Sequence, residues 1–244
     1  MINTYNESSL HRELKTIFAE KYKGKTEVQV GDSICDIVVS KECESLIIEI
    51  QTSNLSSLTQ KIEILLKTHN VMLVYPLAQK TIIKTIDANG NVISKRTSPK
   101  KQNIYSIFEQ LYKAHKLFEN KNFALCVLPI TQTKIKQLTK IPVQTLQKSR
   151  RFKKNYLIVD KQLEIFPNLD DSIIFKNKED VAKLLPKEIP EVFSSKDLKK
   201  TQVKTNANKM LWVLSKMGCI KIDHKERNLI FYKKAFRSEE HTSE

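Results

Sequence analysis

Residues 33–53, SICDIVVSKECESLIIEIQTS, hold two runs of aliphatic and β-branched residues, 34–39 and 46–51, joined by a short polar segment. That is the pattern of a β-hairpin. Asp36, Glu49 and Gln51 stand inside the two runs. Strand side chains alternate faces, so Glu49 and Gln51 point the same way as Ile47, and Asp36 shares a face with Ile34 and Val38. Carboxylates are depleted in strands and costly to bury without a partner. A hard divalent cation is one such partner, suited to two carboxylates and a backbone carbonyl. The bland alternative is a pair of edge carboxylates, facing solvent or bridged to lysine.

The flanks extend the pattern. Asn6 or Ser8 caps a first helix reaching about Tyr22, with Leu10, Leu14, Ile17 and Phe18 at helical spacing and Gly24 as its stop. Residues 26–30 alternate as a strand, and Gly31-Asp32 marks a turn. After Gln51, Thr52-Ser53-Asn54 opens a helix whose stripe of Leu55, Leu58, Ile62, Leu65 and Leu66 runs to about Thr68. Residues 71–77 form a continuous apolar run, the signature of a buried strand. The expected order is helix, three strands, helix, strand. A hairpin over 81–94 follows, turning at Asn89-Gly90. Then come a basic loop over 95–101 with Lys100 and Lys101, a helix over 105–118 and a strand over 123–130. Residues 144–154 are strongly basic, with Lys148, Arg150, Arg151, Lys153 and Lys154 flanking Phe152. A strand pair over 156–166, turning at Asp160-Lys161, is expected next.

From Asn177 the pattern changes to short helices. One spans 178–185 before Pro186, Ser194 or Ser195 caps another over 196–200, and Thr205 caps a longer one to Lys216. Gly218 stops it, and two short alternating strands, 219–222 and 229–232, flank a polar turn. Helices followed by a β-ribbon in so short a span resemble a winged helix-turn-helix DNA-binding domain. By that resemblance Asn206, Asn208 and Lys209 begin the helix that meets base edges or phosphates, and Arg227 lies at the wing tip. Winged helices also serve protein–protein contacts, which stays open here.

Composition narrows the classes. Lys and Arg outnumber Asp and Glu by 42 to 27, a net charge of +15, which points to an anionic partner, DNA or RNA first. A lysine-rich composition alone is the competing explanation. The four cysteines, 35, 43, 126 and 219, have no C-x-x-C spacing, which suits a reducing, cytoplasmic setting without zinc or a disulfide framework. Four glycines leave no phosphate-cradling loop, and G-x-S-x-G, H-x-E and H-E-x-x-H are absent. Nothing approaches the ~18 apolar residues of a membrane span. The last eight residues, RSEEHTSE, look like a translated sequencing adapter rather than natural protein; one Arg and three Glu leave with them.

Asp36 and the Glu49-x-Gln51 element on adjacent strands, set between helices, resemble the PD-(D/E)XK nuclease superfamily over roughly residues 5–78. The resemblance implies a restriction-endonuclease-like mixed sheet flanked by helices, an α/β fold. It implies magnesium or manganese held by Asp36, Glu49 and the Ile50 carbonyl, and phosphodiester hydrolysis. Gln51 stands where the family has lysine, so a non-catalytic DNA-binding protein on the same fold is the second reading, and an RNA-processing role the third. By the same resemblance Lys61 is a candidate migrated lysine, its alternative being a solvated helix face. The helix glutamate is Glu7, Glu13 or Glu20, or Glu27 from the first strand. Glu7 is favoured because it opens an E-x-x-L-H helix. His11, one turn on, orients Glu7 or contacts phosphate, or is simply a packed residue. The basic loops around Lys100, Lys101, Arg150 and Arg151 line a phosphate track in this reading, with Phe152 for stacking. The expected division is a nuclease-like domain over 1–135, a basic connector with a hairpin over 136–176, and a winged helix over 177–236. A homodimer is compatible with it.

Overall fold

A computed structural model describes residues 7–40, 45–144 and 153–235. Asn6, Cys43, Lys148, Arg150, Arg151, Phe152 and the 237–244 tail lie outside the described residues. The chain is a mixed α/β protein whose curled sheet is flanked by helices. Its strands are β1 (Lys25–Val30), β2 (Ser33–Ser40), β3 (Ser45–Ile50), β4 (Asn70–Ile86), β5 (Val92–Thr97), β6 (Phe123–Gln144), β7 (Lys153–Leu163) and β8 (Ile173–Phe175). They follow the order β1-β2-β3-β4-β6-β7, with β5 beside β4 and β8 beside β6. Contacts divide the chain into two compact units interleaved in sequence. The first comprises Met1–Thr52, Leu73–Asn103 and Cys126–Ile173; the second comprises Ser53–Met72, Ile104–Leu125 and Ile174–Glu244.

In the first unit, α1 (Ser9–Tyr22) starts at Ser8, whose hydroxyl accepts from the His11 N–H. It ends where Lys23 turns left-handed at φ 53°, and Gly24 donates back to the Ala19 carbonyl. Leu10, Leu14, Ile17 and Phe18 are buried, as their 3–4 spacing requires. Strands β1, β2 and β3 form an antiparallel meander. Alternation puts Cys35, Ile37 and Val39 of β2 and Ile48 and Ile50 of β3 on one buried face, and Asp36 and Glu49 on the other, where Ile47 and Glu49 are buried too. The chain then passes through a helix to β4, the neighbour of β3 in the sheet.

The second unit contains α2 (Thr59–Leu65), α3 (Ile107–Ala114), α4 (Lys178–Ala182), α5 (Ser195–Lys200) and α6 (Ala207–Lys216). It also has a three-stranded antiparallel sheet of β9 (Val192–Ser194), β10 (Ile220–Glu226) and β11 (Leu229–Lys234), in the order β10-β11-β9. Asn177 caps α4, and Ser194 with Asp197 closes a capping box on α5. Val181, Phe193, Leu198, Met210, Val213 and Leu214 are buried there. Among the described residues no helix is long and apolar enough to cross a membrane.

Several expected boundaries move. The run at 71–77 and the first arm of the 81–94 hairpin are one strand, β4, which continues through Pro76. Likewise β6 continues through Pro129 to Gln144 instead of stopping at Ile130. The strand pair expected to turn at Asp160-Lys161 is a single strand, β7, paired with β6 on both sides of those residues. Asp160 does not turn the chain, because its carboxylate holds the start of α1: it accepts from the Ser9 N–H at 2.9 Å and the Ser9 hydroxyl at 2.7 Å. The helix expected to reach Thr68 is the shorter α2, preceded by a 3-10 turn at Leu55–Ser57. The turn at Asn89-Gly90 is found as expected, with Gly90 at φ 90°.

A carboxylate row beneath the first helix

Register builds the candidate site. Thr26 pairs with Ile37 and Val28 with Cys35, so Glu27 lies opposite Asp36. On the other side the ladder reaches Ile37–Ile48, and one step further places Glu49 opposite Asp36. Three acidic residues therefore occupy one row across β1, β2 and β3. The regular backbone pairing lapses along this row: Glu27 takes a left-handed φ of 54°, uncommon for a residue with a Cβ. Side chains take over the backbone donors. The Ile50 N–H donates to the Asp36 carboxylate at 2.8 Å, and the Asp36 N–H points to Glu49 Oε1 at 3.4 Å. Glu49 is buried, with 1% of its surface exposed.

The first helix faces this row. His11 and Lys15 lie one turn apart on α1, and Glu7, which precedes the Ser8 cap, reaches both of them. His11 Nε2 is 3.2 Å from Asp36 Oδ2 and 3.5 Å from Glu7 Oε1. Lys15 Nζ donates to Glu7 Oε1 at 2.7 Å and to Glu27. Although Lys15 is buried, its pKa is raised. Burial alone pushes the ammonium down, but the hydrogen bonds it donates to Glu27 and Glu7, and then their charges, outweigh it.

Of the residues read from sequence, Asp36, Glu49, Glu7, the alternative Glu27 and His11 are brought together here. Glu13 and Glu20 line a separate groove on α1, with Arg12, Thr16 and the 163–166 segment. The Ile50 group that meets Asp36 is its N–H, not the carbonyl expected as a metal ligand. Gln51 follows β3, half-buried, with its N–H on the Val74 carbonyl. Lys61 is half-buried on α2 in the second unit. Lys15 was missed, although its four-residue spacing from His11 was available. Among the described residues no three His, Cys, Asp or Glu side chains are gathered closely enough to grip a metal ion by themselves. The donor set nevertheless suits magnesium, which is held through one or two carboxylates together with waters and substrate phosphate. Asp36 and Glu49 supply such a pair.

The nucleic-acid candidates divide between the units. Lys100 and Lys101 are exposed in the loop after β5. Asn208 and Lys209 are exposed on α6, Asn206 is half-buried just before it, and Arg227 is exposed at the β10–β11 turn with φ 51°. Lys209 is engaged by Glu109 of α3 at 2.6 Å, and Trp212 of α6 stacks on Tyr112 of α3 with ring centroids 4.1 Å apart. A groove of about 520 Å³ in the second unit, lined by Glu63, Leu66, Lys116 and Asn120 among others, includes none of the candidate residues.

Residues 8–172 match a family model described as Domain of unknown function (DUF8091). The span holds Asp36, Glu49 and Gln51, and it ends before α4. An uncharacterized protein of Treponema pallidum (strain Nichols) is 30% identical over 233 residues, which cover 96% of this chain and 87% of that protein. No solved structure matches the chain.

Proposed function

We propose that this chain, which belongs to the DUF8091 family of domains of unknown function, is a metal-dependent, nuclease-like DNA-binding protein that hydrolyses phosphodiester bonds. The observation that carries the reading is the Glu27–Asp36–Glu49 row under Glu7 and His11, on strands whose pairing parts there. The order α1, β1, β2, β3, α2, β4 supports a restriction-endonuclease-like core. The order α4, β9, α5, α6, β10, β11 supports a winged helix, and the charge of +15 supports a polyanionic partner in a cytoplasmic setting.

Asp36 and Glu49 would hold magnesium or manganese. When bound, the ion lowers the pKa of water and offsets charge on the phosphate. The protein's own groups position that pair. Ile50 N–H and His11 hold the Asp36 carboxylate between strand and helix, and Lys15 ties Glu7 to Glu27 beside it. Gln51 can donate and accept hydrogen bonds but carries no charge to offset developing negative charge. That substitution is the observation favouring the second reading, a DNA-binding protein without turnover.

The test is cleavage of duplex DNA, single-stranded DNA and structured RNA with magnesium or manganese, comparing wild type with Glu49→Ala. Metal-dependent products from wild type, lost in Glu49→Ala while DNA binding persists, support hydrolysis at this row. Binding without any metal-dependent cutting sinks the enzyme reading in favour of the second. Preferential cutting of RNA moves the substrate class to RNA.

A further inference from the structure

Strands β6 and β7 bring two lysines face to face. Lys134 and Lys161 are direct partners in the antiparallel register, a position where Cβ atoms lie roughly 4.5–5.5 Å apart and like charges repel. Both are half-buried. Burial pushes the Lys161 ammonium below the usual lysine range, and the charge of Lys134 pushes it further. Lys134 is lowered first by burial and then by the charges of Lys100 and Lys136. Among the described residues neither ammonium forms an ion pair with a carboxylate. The nearby Asp160 carboxylate is committed to Ser9, the Lys161 N–H and Gln162. Lys136 continues the positive face, with its Nζ 4.1 Å from the centre of the Tyr156 ring.

Lys161 fixes where this charge lies. Its Nζ donates to the Thr52 carbonyl at 2.9 Å, and Thr52 directly follows Gln51 at the exit of β3. A partly buried, mutually repelling cation pair is costly on its own. An anion placed between the two ammonium groups would discharge both. We infer that Lys134 and Lys161 form a binding site for a phosphate group at the exit of the Glu49-x-Gln51 strand. The site lies on β6 and β7, outside the segment that resembles a nuclease core. Identifying the anion as a backbone phosphate of DNA rests on the function proposed above; the existence of the site does not.

The full chain, prepared without phosphate, would be unfolded thermally while millimolar sodium phosphate replaces sodium chloride at constant ionic strength. Wild type should gain thermal stability from phosphate. Lys134→Met should melt higher than wild type in chloride, because repulsion is relieved, and both Lys134→Met and Lys161→Met, the latter also losing its bond to the Thr52 carbonyl, should lose the phosphate gain. Exposed Lys140→Met should keep it. If either pair variant retains the full gain, or Lys134→Met melts lower in chloride, the site is refuted. A short fluorescein-labelled DNA duplex supplies the second arm. Each pair variant should weaken its binding and lower the salt slope by about one; unchanged duplex affinity alongside a lost phosphate gain would overturn the assignment to backbone phosphate. Glu49→Ala should retain the phosphate gain, so a protein that binds phosphate without cutting DNA would lose the hydrolase reading while this site stands.

Discussion

Replacing Lys15 by Met keeps most of the side-chain volume and removes the ammonium shared by Glu7 and Glu27. Breaking a fully buried ion pair costs about 3–5 kcal/mol, whereas an exposed one costs about 0–1 kcal/mol. The Lys15 side chain is 10% exposed, but its partner side chains are 21% and 34% exposed, so solvent recovers part of the loss. An intermediate cost of about 2 kcal/mol follows, which for a chain of this size lowers the melting temperature by about 4–8 °C. Because the folded-state pKa of Lys15 is raised above its ordinary 10.5, its contribution is complete below that value and is lost as pH rises through the folded pKa. The gap between wild type and Lys15→Met should therefore be constant near neutrality and close in strong alkali. Thermal unfolding followed by circular dichroism across that range is the assay. A melting temperature within about 1 °C of wild type at neutral pH, or a gap that persists unchanged into strong alkali, would refute the reasoning.

Two further substitutions probe how the row is held. A Cβ at Gly24 would stand 2.5 Å from Ile37 Cγ2 and 3.0 Å from Val39 Cγ2, both on buried, β-branched side chains with little room to turn. Gly24→Ala should cost about 1–3 kcal/mol by overpacking, and adding Ile37→Val should restore part of it; an unchanged urea midpoint would count against the contact. Asp160→Ala removes the carboxylate that takes up the Ser9 donors at the start of α1 and should cost about 1–2 kcal/mol at neutral pH. Burial pushes the Asp160 carboxyl up, but hydrogen bonds from Ser9, the Lys161 N–H and Gln162 carry it below its usual 3.8. Its contribution is therefore present above that value and lost as pH falls through the lowered pKa, so urea unfolding should show the two proteins converging in strong acid.

The order of elements around Asp36 and Glu49 was readable because period-two and period-3.6 patterns are local properties of the chain. The same alternation grouped Glu49 with Gln51 and Asp36 with Ile34 and Val38 within their own strands, and the Ser8 cap and the Asn89-Gly90 turn were equally local. Strand lengths were not readable. Pro76 and Pro129 look like stops, yet β4 and β6 run past both, since sheet neighbours outweigh the local signal. Asp160-Lys161 looks like a turn because its polar groups have no visible purpose in the chain; their partners, Ser9 and Thr52, lie more than a hundred residues away. The interleaving of the two units is hidden for the same reason.

The residues of the row show where local reading ends. Glu27, Asp36 and Glu49 are spaced by nine and thirteen, intervals with no meaning until two strand registers align them. Lys15 joins them only because α1 presents its His11-Lys15 side to that face, and the Lys134–Lys161 pair exists only in one register of β6 on β7. Local pattern determines which residues share a strand face or a helix stripe, because those periodicities follow from backbone geometry. Which charges then meet depends on long-range pairing and burial, and these set the electrostatics of the site.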